Sequence, residues 1–173
     1  MSNLFDKVED LGGVRFLGNE DSESSKDKYL PFVNSKMGKI PDFEITEFVS
    51  KFDNSRFIND GYAKNELKSG FLQSGEIEIG EIFGWSDSNK GVSSIINQYF
   101  LPDKITAKFF PLCEGYPGDI IYYSLEEGSF RKIYYWYHEI DNEEDDYFLA
   151  DALHDFIDKF FIKVEDDLDE NIK

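Results

Sequence analysis

The alternation of apolar and polar positions is clearest between Gly118 and Glu139. Two runs rich in aromatic and β-branched residues, Asp119–Leu125 and Arg131–Tyr137, flank a polar loop at Glu126–Phe130. Such residues fit a pleated surface, and Gly128 in the loop can take a left-handed conformation, so the pattern predicts a β-hairpin. Alternation puts Ile120, Tyr122 and Ser124 on one face and Ile121, Tyr123 and Leu125 on the other. In the second run Ile133, Tyr135 and Tyr137 oppose Tyr134, Trp136 and His138. Aromatic residues on both faces predict a central hairpin covered on both sides.

Other segments follow from their periods. Glu76–Phe83 alternates, with Ile77 and Ile79 on one face, and predicts a strand with one solvated side. Ile105–Cys113, rich in Phe, predicts another, closed by a turn at Glu114–Gly118. Ile45, Phe48, Val49 and Phe52 fall on one helical stripe behind Asp42, which can cap it, with Glu44 and Glu47 near the positive end of the dipole. Val92–Phe100 predicts a short helix. Leu149, Leu153, Phe156, Phe160 and Val164 form the longest stripe and predict that Tyr147–Lys163 is the longest helix, capped by Asp145 or Asp146. Asp151, His154, Asp155 and Asp158 would lie on its solvated side. Met1–Gly18 reads as helix or short strand around Gly12-Gly13. Glu20–Lys28 is polar, Ser-rich and aperiodic, and reads as a mobile loop. Pro31 limits any helix in Tyr29–Met37 to starting there. The sum is an α+β fold in a single domain spanning 1–173. One central mixed or antiparallel sheet of about five to six strands is expected, with helices packed around it. Residues 1–28 are poorly specified, and 165–173 form an acidic tail.

Charge changes the picture more than composition does. The 173 residues carry 36 Asp and Glu against 18 Lys and Arg, a net charge of −18. That repels phosphate, so nucleic acid and anionic membranes are not expected partners, and a basic protein is the natural complement. Between Glu139 and Glu170 stand 14 acidic residues and two lysines, two-thirds of the whole excess. This concentration reads either as solvated surface or as an electrostatic docking face. In the second case Glu139, Asp141, Glu143, Glu144, Asp145 and Asp146 are the steering charges. Trp85, Tyr116 and Tyr147, in loops or at element ends, are then the aromatic candidates for anchoring a partner, whereas Trp136 belongs to the core. The lone Cys113 allows no internal disulfide and suits a reducing compartment. The N-terminus lacks the charged-then-apolar order of a secretion signal, and no stretch approaches the ~20 apolar residues of a membrane span, so a cytoplasmic location is expected.

Chemistry is sparse. There is no phosphate-binding glycine loop, no Gly-x-Ser-x-Gly and no paired histidines at metal-ligating spacing. His138 and Glu139, near Asp141 and Glu143, have the residue types for acid–base or metal chemistry, but lack convergent ligands and read as a turn ordered by hydrogen bonds. No enzymatic activity, cofactor or metal is expected.

The hairpin also carries a resemblance. Gly118-Asp119 opens one strand, and the next ends in Trp136-x-His138-Glu139. An acidic loop follows, and then Leu149-Ala150-Asp151-Ala152-Leu153-His154-Asp155-Phe156-Ile157. With Gly38-Lys39-Ile40-Pro41-Asp42 and Phe48 earlier in the chain, this order resembles the SUKH superfamily. Many bacterial members of that superfamily are immunity proteins of polymorphic toxin systems, and fungal relatives regulate cell-wall glucan synthesis. The resemblance implies an antitoxin that occludes a cognate toxin domain, often a nuclease. The alternative is a non-catalytic regulatory or scaffold module with an endogenous protein partner.

Overall fold

The computed structural model of the chain describes residues 5–17, 22–65, 75–86, 88–100, 109–138 and 146–163. The first half contains α1 (Asp6–Asp10), β1 (Val14–Phe16), α2 (Ser22–Met37), α3 (Phe43–Lys51), β2 (Ser55–Phe57), β3 (Gly61–Lys64) and β4 (Glu76–Ile79). The second contains α4 (Val92–Ile95), continued by a π-helical turn at Ile96–Phe100, then β5 (Phe109–Glu114), β6 (Ile120–Ser124), β7 (Ile133–Trp136), β8 (Asp146–Ala150), α5 (Leu153–Ile157) and β9 (Phe160–Ile162). The fold is α+β.

The hairpin forms as its alternation predicts. β6 pairs antiparallel with β7 in the register Ile121↔Tyr135 and Tyr123↔Ile133. Every residue of β6 is buried, so both faces are covered. The loop is a 3₁₀ turn at Glu127–Ser129, and its left-handed residue is Arg131, at φ +76°, rather than Gly128. β5 and β8 flank the hairpin in the order β5-β6-β7-β8. Pro111, which has no N–H to donate, sits where the β5–β6 register shifts.

The named strands form three antiparallel sheets, of two (β1-β2), three (β4-β3-β9) and four strands, rather than one central sheet. The segment after β4 stitches them together. Ile82 N–H donates to Ser55 O at 2.7 Å, while Phe83 N–H donates to Leu112 O at 2.9 Å on the other side. Ile82 thus bridges β2 and β5. This explains why alternation predicts only part of the burial in Glu76–Phe83. Ile77 and Ile79 are buried as expected, but past Gly80 both Ile82 and Phe83 are enclosed.

α3 matches its stripe. Asp42 Oδ1 accepts from Ile45 N–H at 3.2 Å, and Ile45, Phe48, Val49 and Phe52 are buried. Two expectations fail. The polar run Glu20–Lys28, expected as a loop, is helical from Ser22 and continues through Pro31 to Met37. Tyr29, Val33 and Met37, four residues apart, give this helix its buried line, and α2 packs against α3 and α4. Tertiary burial outweighs the poor local propensity of its serines and the interior proline. The expected long helix Tyr147–Lys163 is instead β8, the short α5 and β9. Its apolar positions are still buried, but from strands as well as a helix. Leu149 and Ala150 face the core from β8, Leu153, Phe156 and Ile157 from α5, and Phe160 from β9. Tyr147 and Phe148 pair with Tyr135 and Tyr134, a cross-strand aromatic arrangement that favours the sheet. Val164, the tail 165–173 and residues 105–108 of the expected Phe-rich strand lie outside the described residues. No helix among the described residues is long and apolar enough to cross a membrane.

Candidate functional site

One end of the four-stranded sheet gathers most of the residues singled out above. β5 ends at Glu114, paired with Ile120 at the start of β6, which pairs in turn with Trp136 at the end of β7. Trp136 then pairs with Asp146 at the start of β8. The turn 115–119, the end of β7 and the start of β8 therefore lie at the same edge.

The turn is built around a buried carboxylate. Asp119 N–H donates to Tyr116 O at 2.8 Å, and Gly115 N–H to Asp119 O at 3.1 Å. Asp119 itself is 1% exposed. One of its carboxylate oxygens accepts from the Tyr135 hydroxyl. The other accepts from His138 N–H at 3.0 Å and meets His138 Nδ1 at 2.6 Å. The Tyr135 hydroxyl also accepts from Tyr116 N–H at 3.3 Å. Burial, then the hydrogen bond to Asp119, pushes the Tyr135 phenol far above its ordinary value, so it remains a donor. Gly118, at φ +98°, lies against the His138 imidazole, where a Cβ would come within 2.9 Å of the ring. Glycine suits this position on both counts.

Gly118, Asp119 and His138, read from the sequence as motif residues, are thus one contact cluster tying the turn to the end of β7. Tyr135 completes it, and no sequence signal marks it, because the partner of a buried carboxylate is set by sheet register. The arrangement orients the His138 ring through a buried acid, and its hydrogen bonds are spent on holding the turn. Among the described residues no group of three or more His, Cys, Asp or Glu is placed to hold a metal ion.

The candidate anchors divide. Tyr116, 62% exposed, stands out from the turn. Tyr147 is half-buried in β8 opposite Tyr135. Trp136 is buried, as expected. Trp85, expected as a surface anchor, is instead fully buried. Its indole N–H donates to Ser50 Oγ at 3.1 Å and its backbone N–H to Asp53 Oδ1 at 2.7 Å. Burial raises the Asp53 carboxyl above the usual range, partly offset by that bond from Trp85. Asp146 lies in β8, and the remaining acidic candidates, Glu139, Asp141, Glu143, Glu144 and Asp145, lie outside the described residues. His154 is exposed beside Asp155 and Asp158, on the solvated side as expected.

Asp119→Asn tests the cluster. The amide cannot accept on both sides as the carboxylate does, so the Tyr135 and His138 donors compete for one oxygen. The expected loss is about 1–3 kcal/mol in urea unfolding, with faster amide exchange in 115–118. Unchanged stability and exchange would mean that the carboxylate is dispensable to the turn.

No protein-family model matches the chain, and no curated protein matches it.

Proposed function

We propose that the chain is an immunity protein that binds a cognate toxin domain stoichiometrically and occludes its basic, phosphate-binding cleft, as a nuclease inhibitor would. The observation that carries this is the convergence at one sheet edge. The exposed Tyr116, the end of β7 and the start of β8 at Asp146 meet at the Asp119–Tyr135–His138 end of the sheet, and the sequence between those two strands carries Glu139, Asp141, Glu143, Glu144 and Asp145. The resemblance of Gly118-Asp119 and Trp136-x-His138-Glu139 to the SUKH pattern points the same way. Carboxylates would take the place of substrate phosphates, with Tyr116 and Tyr147 as aromatic anchors. Such a protein works by binding, in the cytoplasm, without cofactor, metal, nucleic acid or membrane.

The test begins with coexpression of the chain and the toxin domain encoded beside it, scored by cell survival and by a one-to-one complex in size-exclusion chromatography. Neutralising Asp141, Glu143, Glu144, Asp145 and Asp146 to Asn and Gln, in variants shown to be folded, is expected to slow association about 10-fold at low salt. High salt should shrink the effect, because it shortens the roughly 8 Å screening length of physiological salt. An association rate indifferent to charge and salt would move the interface elsewhere. A complex with an endogenous non-toxin protein would favour the regulatory module.

A further inference from the structure

The opposite end of the same sheet carries a different surface. There the β6–β7 loop meets the start of α3. Arg131 Nε lies 2.9 Å from Asp42 Oδ2, and Asp42 also caps α3. One residue away on either side of this ion pair stand the large apolar Phe43 and Phe130, while Lys132, beyond Arg131, reaches Asp151 at 3.9 Å and lies over the Phe148 ring. Phe43 is 77% exposed, and Phe130, stacked edge-on against the buried Tyr123 at 5.9 Å, is 42% exposed. Ile40, two residues before Asp42, is half exposed. The fold does not require a phenylalanine at position 43. Capping is done by the Asp42 side chain and the core is reached from Ile45, Phe48 and Val49, so a polar residue would serve folding equally well.

The backbone here is also held out of its comfortable range. Arg131 has φ +76°, a left-handed conformation that strains a residue bearing a β-carbon. The hydrogen bond from its N–H to Ser124 O and the ion pair to Asp42 fix this conformation. Together they place Phe130 and Phe43 on one region of the surface. The surrounding charge then selects the occupant. Arg131 is paired with Asp42 and lies over the Phe130 ring at 5.9 Å, while Glu44, with no ion pair among the described residues, lies in the field first of Asp42 and Arg131 and then of His154 and Asp155 from α5. Asp155 is exposed, 3.4 Å from His154. An apolar face with an acidic rim, on a chain of net charge −18, repels a second copy and any acidic tail. It complements a segment that offers apolar side chains and cations, and the exposed Phe43 ring can accept a cation on its face as Phe130 accepts Arg131.

We propose that Ile40, Phe43 and Phe130, rimmed by Glu44 and Asp155, form a second docking surface, separate from the acidic end, for a basic amphipathic segment of a partner protein. The probe is a fluorescein-labelled helical peptide with one leucine face and one lysine face, titrated against the full chain by anisotropy at physiological salt. A leucine/glutamate peptide is the control. Phe43→Ser, at an exposed position, is expected to weaken leucine/lysine binding about tenfold, and Phe130→Ser to weaken it in the same direction. Glu44→Gln should weaken it further at low salt. The variant neutralised at Asp141, Glu143, Glu144, Asp145 and Asp146 should bind the peptide within about threefold of the parent, since β8 opens with Asp146 at the other end of the sheet from the β6–β7 loop. Binding that ignores Phe43→Ser, equal binding of the leucine/glutamate peptide, or loss confined to the neutralised variant would each overturn the proposal. So would a dimer in sedimentation velocity that Phe43→Ser dissolves, which would make the occupant a second copy. None of these outcomes depends on whether the acidic end binds a toxin.

Discussion

Gly84→Ala is expected to leave almost no folded protein. A Cβ at this position would come 1.8 Å from Asp53 Oδ1 and 2.5 Å from Asn54 N. Both of those residues are buried, and Asn54 is held at φ +49°, so neither has room to retreat. Asp53 is also the acceptor for Trp85 N–H, so moving its carboxylate unseats the fully buried Trp85, whose ring lies 5.8 Å from Phe110. The neighbouring backbone is equally committed. Val92 N–H donates to Gly84 O at 2.9 Å, and Gly84 bridges Gly91. Steric overlap with backbone, a broken buried hydrogen bond and a displaced tryptophan together exceed about 4 kcal/mol, a large share of the ~5–15 kcal/mol that stabilises a typical domain. Soluble yield, near-ultraviolet circular dichroism and tryptophan emission measure the outcome. Gly128→Ala is the control: a Cβ there meets nothing within 4 Å, and its stability should stay within about 0.5 kcal/mol of the parent. A Gly84→Ala variant that melts like the control would show that the turn tolerates a side chain.

Phe156→Ala is expected to cost about 3–5 kcal/mol in urea unfolding, with the slope of the transition unchanged. The ring is 2% exposed and stands edge-on to Phe160 at 4.9 Å, which in turn stands edge-on to Phe57 at 5.6 Å. This row joins the neighbouring α5 and β9 to β2, which lies far earlier in the chain. Truncating its first member leaves a cavity that the flanking strands, pinned by their ladders, cannot close. A loss below about 1 kcal/mol would mean that the row relaxes into the space.

What the sequence discloses depends on how many structures one pattern fits. The hairpin is legible because a strict two-residue period and two turn signals agree, and α3 because an apolar stripe coincides with a capping Asp42. The C-terminal region misleads because Leu149, Leu153, Phe156 and Phe160 are spaced for a helix, yet their burial is satisfied by a strand, a short helix and a second strand. There the aromatic pairing of Tyr147 and Phe148 decides. α2 stays hidden because its buried line is three residues among serines and lysines. At the site, Gly118, Asp119 and His138 are visible as a motif, whereas Tyr135 becomes their partner only once the register is known. Trp85 shows the limit most plainly. An aromatic residue between glycine and serine looks like a loop tip, and its burial is set by Asp53 and Ser50, distant in the chain.

The antiparallel contact between β9 and β3 has a consequence for how the molecule assembles. β5, β6, β7 and β8 are successive neighbours, so their ladders close over short stretches of chain, whereas Gly61 must find Ile162 and Ala63 must find Phe160. Closing a larger loop costs more entropy, about 0.6 kcal/mol for each doubling of its length, and contacts of such separation slow the search. The four-stranded ladder is therefore the early structure and the β3–β9 seam the late one. In a pulse-labelling exchange experiment the β3 and β9 amides should gain protection after those of β6 and β7. Until the seam shuts, β3 presents a bare edge and Phe156 and Phe160 lack their cover. Association with other unfinished chains competes with folding during that interval.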